Sequence, residues 1–369
     1  SLGVVIVSYF LAKKLTGSKI AGLLSSIFIS ISPWFFIFSR TGYEATAGLM
    51  FYLLGVYLFL LVNRNNWYLF FSVISLIFSV YSYNSFRLIV PLSIIILIIY
   101  SFNNLKIVFR NFLPLFFTVT FIVISLIPIY RLYRYDSGIG RFQVVSDLGV
   151  NSFVKNYLSH FSFEFLFSRG DQNLRSQQLG FGQLYWLDLL LFLLGFLYIV
   201  KNPRYASIIL FILIGPTVAS LTKESPHALR AISTMPFIYF ISSLGFLQIK
   251  KIFPIKYFVE FCLSVILLIN FSNYFINFMN IYPVQSSKEW QYAYKKVFTS
   301  YKDQFTNFDR IIVSDEYGQP YIFALFYLKY GPEQFRSEVS RNHIDKWGFS
   351  TVLNFNNFRF TKVNTLVKE

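Results

Sequence analysis

The sequence predicts an all-α polytopic membrane protein with a small α/β domain at its C-terminal end. Three observations support this fold class. Of the 369 residues, 55% are hydrophobic and 14% are charged, and the mean hydropathy is +0.53. Apolar runs near the length of a bilayer-spanning helix recur along most of the chain. After residue 281 the composition changes to mixed acids, bases and short apolar segments.

Ten apolar runs predict about ten membrane spans within residues 1–281, which would form one bundle. Several runs have about 17 residues, which is short for a helix that must cross roughly 30 Å of hydrocarbon. Such lengths are acceptable where neighbouring helices bury the segment. The runs cover residues 2–11, 20–38, 46–62, 67–83, 88–100, 112–130, 184–200, 206–221, 232–247 and 257–281.

The charges between the runs alternate along the chain. One set of loops carries bases without acids, and the positive-inside rule places it in the cytoplasm. These bases are Lys13, Lys14, Lys19, Arg64, Lys106, Arg110, Lys201, Arg204, Lys250, Lys251 and Lys256. The other set mixes arginines with acids and is predicted to be extracytoplasmic. Its acids are Glu44, Asp136, Asp147, Glu164, Asp171 and Glu224.

This distribution accounts for the formal charge of +16 without a nucleic acid partner. It also places both ends of the sequence outside a plasma membrane. We expect one further helix and an outside loop before Ser1, which lies within an apolar run. The single cysteine, Cys262, also lies in an apolar run, so an intrachain disulfide is excluded.

Residues 282–369 are predicted to form the extracytoplasmic α/β domain. A helical pattern covers 290–301, a strand 310–314 and a helix 319–330, and further strands lie near 351–363. No catalytic constellation stands out in this segment. We therefore expect it to have a structural or acceptor-positioning role.

The long outer loop, residues 131–182, carries the first group of candidate site residues. An aromatic stripe with a spacing of four predicts a helix in the membrane interface. His160 and Glu164 share the same spacing, which suits either a divalent metal or a hydrogen-bonded pair. The stripe consists of Phe153, Tyr157, Phe161 and Phe165.

Two arginines in the same loop, Arg169 and Arg175, bracket Asp171. Arginines in a flexible loop can hold a phosphate through bidentate contacts. An internal Arg–Asp pair that fixes the loop is the alternative.

A second outer segment, residues 220–230, joins two apolar runs. Lys223, His227 and Arg230 bring three potential cations to the height of the membrane surface. Pro226 is well suited to begin a helix, whose N-terminus would favour an anion. A lipid-linked phosphate is the expected partner, and generic contact with lipid head groups is the alternative.

Two helix junctions supply the remaining candidates. Arg40 and Glu44 place an ionisable pair at the membrane edge, where charge is costly and commonly functional. Simple solvation at the junction is the alternative. Arg87 lies at the outer end of another helix pair. Because outer bases run against the positive-inside trend, a shared anionic ligand is favoured for Arg40, Arg87, Arg169, Arg175 and Arg230.

Several of these segments resemble the GT-C-fold membrane glycosyltransferases, in the branch of protein O-mannosyltransferases and lipid A aminoarabinose transferases. The similarity covers nearly the whole chain through short motifs in a fixed order. They are Ser32-Pro33-Trp34 with residues 38–45 (FSRTGYEA), residues 167–171 (FSRGD), residues 226–230 (PHALR) and residues 315–321 (DEYGQPY).

The resemblance implies a GT-C-like bundle that transfers a sugar from a polyprenyl-phosphate carrier to an acceptor at the outer leaflet. The acceptor would be a protein, lipid or glycan of the cell envelope. It implies that His227 and Arg230 contact the phosphate, supported by Arg169 or Arg175. The family's catalytic Asp would precede Ser1, with Glu44 beside it. Arg40 would hold Glu44 or face the phosphate.

Other functions stay open at this point. A flippase or transporter for lipid carriers would move its substrate without a covalent product. A non-catalytic scaffold would use the outer domain to bind a partner. No cofactor is certain from the sequence, although a divalent metal remains compatible with it.

Overall fold

The fold is described from a computed structural model. It covers residues 1–101, 111–135, 140–255, 257–344 and 350–362. The chain divides into a first unit, Ser1–Tyr130 with Val145–Tyr282, and a second unit, Arg131–Val144 with Pro283–Glu369. Some predicted features lie outside the described residues, namely Lys106, Arg110, Asp136, Lys256 and the end of the last predicted strand.

Helices dominate the chain as far as Asn280. The first are α1 (Leu2–Thr16), α2 (Lys19–Ile31), α3 (Pro33–Phe38), α4 (Glu44–Phe59), α5 (Trp67–Ser82), α6 (Phe86–Ser101) and α7 (Phe112–Tyr135). They are followed by α8 (Gly140–Val145), α9 (Val150–Ser159), a π-helical turn (Glu164–Ser168), α10 (Trp186–Val200), α11 (Ala206–Ile214), α12 (Thr217–Ser220), α13 (Met235–Ile252) and α14 (Phe258–Asn280). Short 3-10 turns at Pro203–Tyr205 and Ile232–Thr234 lead into α11 and α13.

Four helical segments of the described residues are long and apolar enough to cross a membrane. The expectation of about ten spans is not supported, because the other apolar helices have 10–17 residues. At 1.5 Å per residue these reach at most about 26 Å, short of the roughly 30 Å of a hydrocarbon core. The four segments are Phe112–Arg134, Pro203–Ser220, Ile232–Ile252 and Phe258–Asn280.

The apolar run 20–38 is broken into two helices at Ser32. The residue before a proline is disfavoured from helical geometry, and Ser32 has the extended values φ −60° and ψ 132°. Pro33 then begins α3, whose six residues are all buried. The break therefore creates a corner that buries Trp34 instead of continuing a span.

Helix α13 is the centre of the first unit, with residues 235–246 buried on every side. Its backbone lies in direct contact with the backbone of α10. A Cβ on Gly245 would lie 1.8 Å from the Leu191 carbonyl oxygen, and one on Gly195 would lie 2.0 Å from that of Ile241. Small residues permit this close approach. A hydrogen bond of 3.1 Å between the Ser25 and Ser243 hydroxyls joins α2 to the same helix.

The second unit contains a small four-stranded sheet, which confirms the expected strand region near the C-terminus. Strand β1 (Ile311–Ser314) pairs in parallel with β4 (Phe358–Thr361). Strand β4 pairs in antiparallel fashion with β3 (Val352–Phe355), which pairs in the same way with β2 (Ser340–Arg341). The strand order is therefore β1-β4-β3-β2. Phe298, Phe355 and Phe358 form its core. The remaining elements are α15 (Tyr282–Gln285), α16 (Tyr292–Ser300), a 3-10 turn (Lys302–Asn307), α17 (Pro320–Tyr327) and α18 (Pro332–Glu338).

The aromatic stripe predicted in the long outer loop is only partly present. On α9 the rings of Phe153 and Tyr157 stack at 5.9 Å, and Tyr157 meets Phe161 at 5.5 Å. Phe165 does not continue this stripe, because α9 ends at Ser159 and the chain turns inward. The Phe165 ring is buried and packs edge-on against Trp34 at 5.6 Å.

Candidate functional site

Three segments that are distant in sequence meet beside Trp34. The indole Nε1–H donates to the Ala228 carbonyl at 3.0 Å, and the Trp34 backbone N–H donates to the Gln183 carbonyl at 3.1 Å. The Ala228 N–H in turn donates to Asp171 Oδ2 at 2.7 Å. The α2–α3 corner, the 164–184 loop and the 221–231 loop thus form one cluster, called here the loop junction.

The 164–184 loop is shaped by a buried glutamine and two glycines. Gln177 Nε2 donates to the carbonyls of Arg169, Gln178 and Phe181. Gly170 has φ +66°, a left-handed value that side chains rarely adopt. A Cβ on Gly182 would lie 2.4 Å from the Phe167 backbone. These contacts fix the loop, so Asp171 is presented at a defined place.

Asp171 is buried in the loop junction and bound by backbone groups. It accepts hydrogen bonds from the Asn173 N–H at 2.9 Å and the Ala228 N–H, and its Oδ2 lies 3.6 Å from His227 Nδ1. Burial raises the pKa of Asp171, while the two backbone donors act in the opposite direction. Neither bracketing arginine forms an ion pair with it in the described part of the chain. The internal Arg–Asp pair, the alternative to phosphate binding, is therefore not formed by these residues.

His160 is a structural neutral imidazole. Its Nε2 accepts the His227 backbone N–H at 3.1 Å, so the proton must lie on Nδ1, which donates to the Asn156 carbonyl at 2.8 Å. Burial lowers the pKa of His160 to about 4. Because both ring nitrogens are occupied, His160 cannot serve with Glu164 as a metal pair in this arrangement. The described residues contain no group of three His, Cys, Asp or Glu suited to a metal.

His227 is buried against the same cluster. Burial and the positive charge of Arg230 lower the pKa of His227 to about 3, so the ring is neutral near pH 7. Its Nε2 lies 3.9 Å from Glu224 Oε2. The imidazole therefore sits between two carboxylates, Asp171 on one side and Glu224 on the other.

Arg230 is held at the edge of the loop junction by two neighbours. Nη1 donates to Thr222 Oγ1 at 2.8 Å and to the Glu224 carbonyl at 3.5 Å. Nη2 donates to Glu224 Oε2 at 3.3 Å. No helix begins at Pro226, contrary to expectation, since helical geometry first appears in the 3-10 turn at Ile232. The candidate groups for an anion are therefore side chains and not a helix N-terminus.

Arg169 and Arg175 reach solvent beside the cluster. Arg169 pairs with Glu164 at 3.9 Å, and both side chains are largely exposed. Arg175 donates through its backbone N–H and Nε to Asn173 Oδ1. Its charge contributes to the lowered pKa of His227, so Arg175 lies near the loop junction.

Tyr43 links this region to the start of α4. Burial raises the pKa of the Tyr43 phenol, the charge of Arg175 lowers it, and the charges of Glu44 and Asp171 raise it further. Glu44 is exposed at the first position of α4, where the helix dipole favours a carboxylate.

Arg40 does not hold Glu44, and the predicted pair is not formed. Its Nη1 donates to the Phe36 carbonyl at 3.0 Å and to Ser39 Oγ at 2.9 Å, and its guanidinium lies 3.3 Å from the Phe36 ring centre. Arg40 thus stacks on the end of α3 with its charge exposed. Arg87 lies half-buried in the first turn of α6.

Several residues of the loop junction were not singled out from the sequence. The sequence identifies Glu224 only as an acid of an outer loop, although it lies three residues before His227 and six before Arg230. Its position on the same loop is the signal that could have identified it. Trp34 was part of a motif without an assigned contact, and its partner lies 194 residues away. The residues that were missed are Tyr43, Asn156, Gln177 and Thr222.

Chemically, the loop junction combines the guanidinium group of Arg230, two neutral imidazoles and the carboxylates of Asp171 and Glu224, with the charge of Arg175 nearby. Guanidinium and imidazole N–H groups suit a phosphate or carboxylate ligand. No family model, curated protein or solved structure matches this chain.

Proposed function

We propose that the protein is a membrane glycosyltransferase. It would move a sugar from a polyprenyl-phosphate carrier to an acceptor hydroxyl on the extracytoplasmic face. The observation that supports this proposal best is the meeting of Arg230 and His227 at the Glu224 carboxylate within the loop junction. That cluster unites three of the four motifs that resemble GT-C transferases, although they are far apart in sequence.

The proposed reaction suits these groups. An acceptor oxygen loses its proton to a base and attacks the anomeric carbon, while the bond from that carbon to the phosphate oxygen breaks. The lipid phosphate leaves as a stable anion, so the main demand is to stabilise its negative charge. Arg230 and His227 contact the phosphate in this proposal, and Arg175 adds positive charge. Arg169 and Arg40 are left on the solvent side.

Glu44 is assigned to the acceptor side of the reaction. Its carboxylate is exposed beside Tyr43, so it can orient the acceptor hydroxyl or tune the base that deprotonates it. Acceptors with a hydroxyl group on protein, lipid or glycan all satisfy this chemistry.

The test is a transfer assay with a radiolabelled polyprenyl-phosphate sugar in membrane vesicles that contain the full-length protein. We expect Arg230→Ala to lower transfer by about 100-fold or more, since one lost charge-stabilising donor has that effect in other enzymes. Glu44→Gln should also abolish transfer. Arg64→Ala is the matched control, because Arg64 is an exposed arginine in the turn between α4 and α5. Its transfer should equal that of the wild type.

Wild-type transfer by both Arg230→Ala and Glu44→Gln would contradict the site assignment. Movement of labelled lipid between leaflets without a covalent product would instead indicate a flippase. Tolerance of every outer arginine to substitution, with no transfer by the wild type, would indicate a scaffold.

A further inference from the structure

The Glu224 carboxylate lies close to both Arg230 and His227 in the loop junction. One carboxylate oxygen, Oε2, lies 3.3 Å from Arg230 Nη2 and 3.9 Å from His227 Nε2. Arg230 and His227 are the two groups assigned above to the donor phosphate. An oxygen anion is therefore already present at the point where both groups converge.

We infer that the Glu224 carboxylate fills the anion subsite and that a phosphate monoester or diester group displaces it on binding. This inference rests on the proposed function for the identity of the ligand, a lipid-linked phosphate. It adds that the chain supplies its own competitor for the subsite. Glu224 thus sets the affinity of the donor without taking part in bond making or breaking.

The exposure of the groups favours displacement. The Glu224 side chain is 71% exposed, whereas that of Arg230 is 17% exposed. Ion pairs with such an exposed partner contribute little, because water solvates the carboxylate almost as well. A phosphate offers more acceptor oxygens and more negative charge to a guanidinium than one carboxylate does. The exchange therefore favours phosphate.

Arg230 has a second side-chain partner besides the Glu224 carboxylate. Its Nη1 is held separately by Thr222 Oγ1 at 2.8 Å, and Thr222 is itself buried. Thr222 Oγ1 in turn donates to the Ala219 carbonyl at 2.7 Å, at the end of α12. Removal of the carboxylate should leave the guanidinium in place with Nη2 available to a ligand.

Two substitutions should therefore change the affinity for phosphate in opposite directions. Glu224→Gln removes the competing charge, so phosphate affinity should rise by about threefold, as expected for an exposed ion pair. Thr222→Val loosens the guanidinium and should lower the affinity. A role for Glu224 in holding Arg230 would instead make both substitutions weaken binding.

The experiment measures binding to the purified full chain in detergent by isothermal titration calorimetry. The probes are a polyprenyl monophosphate and inorganic phosphate. Tighter binding of both by Glu224→Gln supports a subsite for the phosphate group itself. Tighter binding of the polyprenyl monophosphate alone also supports the subsite, and indicates that the ligand must carry a lipid chain to bind there.

Glu333→Gln is the control for a general effect of net charge, because it removes an exposed carboxylate from α18. Its affinity should equal that of the wild type. Unchanged or weaker binding by Glu224→Gln, or an equal gain in Glu333→Gln, would overturn the inference. A gain in phosphate affinity in Glu224→Gln, together with no sugar transfer by the full-length protein, would refute the proposed glycosyltransferase and leave the inference standing.

Discussion

The two histidines of the loop junction share a backbone hydrogen bond and the same buried surroundings. His160 accepts the His227 N–H, so protonation of His160 Nε2 would break that contact and place a charge in the interior. His227 lies within reach of Asp171 and Glu224. Yet burial and Arg230 hold the pKa of His227 down, which makes the neutral ring the stable form.

Stability should consequently fall on mild acidification. An unfolded histidine binds a proton below about pH 6.5, whereas folded His160 and His227 have pKa values of about 4 and about 3. Stability is therefore greatest above about pH 6.5 and declines as the pH falls from about 6.5 towards the folded pKa values, because in that range only the unfolded state binds the protons. Each should contribute a loss of order 2 kcal/mol between pH 7 and pH 5. Asp171, whose pKa burial raises, offsets part of this loss.

Thermal unfolding in detergent between pH 7 and pH 5 measures this dependence. The His160→Gln variant should show a shallower decline of the melting temperature than the wild type, because it removes one titrating group. His343→Gln is the control, since His343 is exposed in the second unit. Identical slopes for His160→Gln and the wild type would contradict the buried neutral imidazole.

Residue identity singled out candidate residues but did not predict their partners. Arg230 and His227 were singled out because cations at an outer helix junction suit an anion. Their link to Trp34 and Asp171 could not be read from the sequence, since it depends on how distant loops pack. Likewise, the arginines around Asp171 suggested a pair, but the backbone N–H groups of Asn173 and Ala228 satisfy that carboxylate first.

At the scale of elements, the close contact of α10 with α13 holds together the core of the first unit. Gly245→Ala would place a methyl group against the Leu191 carbonyl, where no flexible side chain can move aside. The two helices would have to separate. We expect a loss of about 3 kcal/mol or more in the free energy of unfolding.

Denaturant unfolding or melting of the purified protein measures this loss. Gly42→Ala is the matched control, because a Cβ at Gly42 meets nothing within 4 Å and its backbone is ordinary. That variant should stay within about 0.5 kcal/mol of the wild type. If Gly245→Ala were equally stable, the close approach of α10 and α13 would be refuted.

Hydropathy predicted where helices form because apolar character is a local property of the chain. It did not predict their lengths, since Pro33 divides the run 20–38 and several other helices stop short of a bilayer thickness. The small sheet was predicted from strand patterns at 310–314 and 351–363. Strand β2 was missed because two residues, Ser340–Arg341, carry no periodic signal.

At the scale of the whole molecule, the distribution of charge predicts sidedness. The α4–α5 turn contains Arg64, and the loop that carries Asp171 contains the exposed Gln172. The positive-inside rule places the α4–α5 turn in the cytoplasm. The proposed donor chemistry needs the loop that carries Asp171 on the outer side of the membrane. The loop junction would then open to the extracytoplasmic leaflet, where a polyprenyl-phosphate donor and its acceptor meet.

Cysteine labelling in intact cells tests this orientation, starting from a Cys262→Ser background that has no other thiol. A membrane-impermeant maleimide should label Gln172→Cys in intact cells, because the loop that holds Asp171 would face outward. Arg64→Cys should react only after the membrane is permeabilised. Both positions are exposed, so a difference between them reports the side of the membrane and not burial. Labelling of Arg64→Cys in intact cells with protection of Gln172→Cys would place the loop junction in the cytoplasm. A transferase acting there would need a donor presented on the inner leaflet.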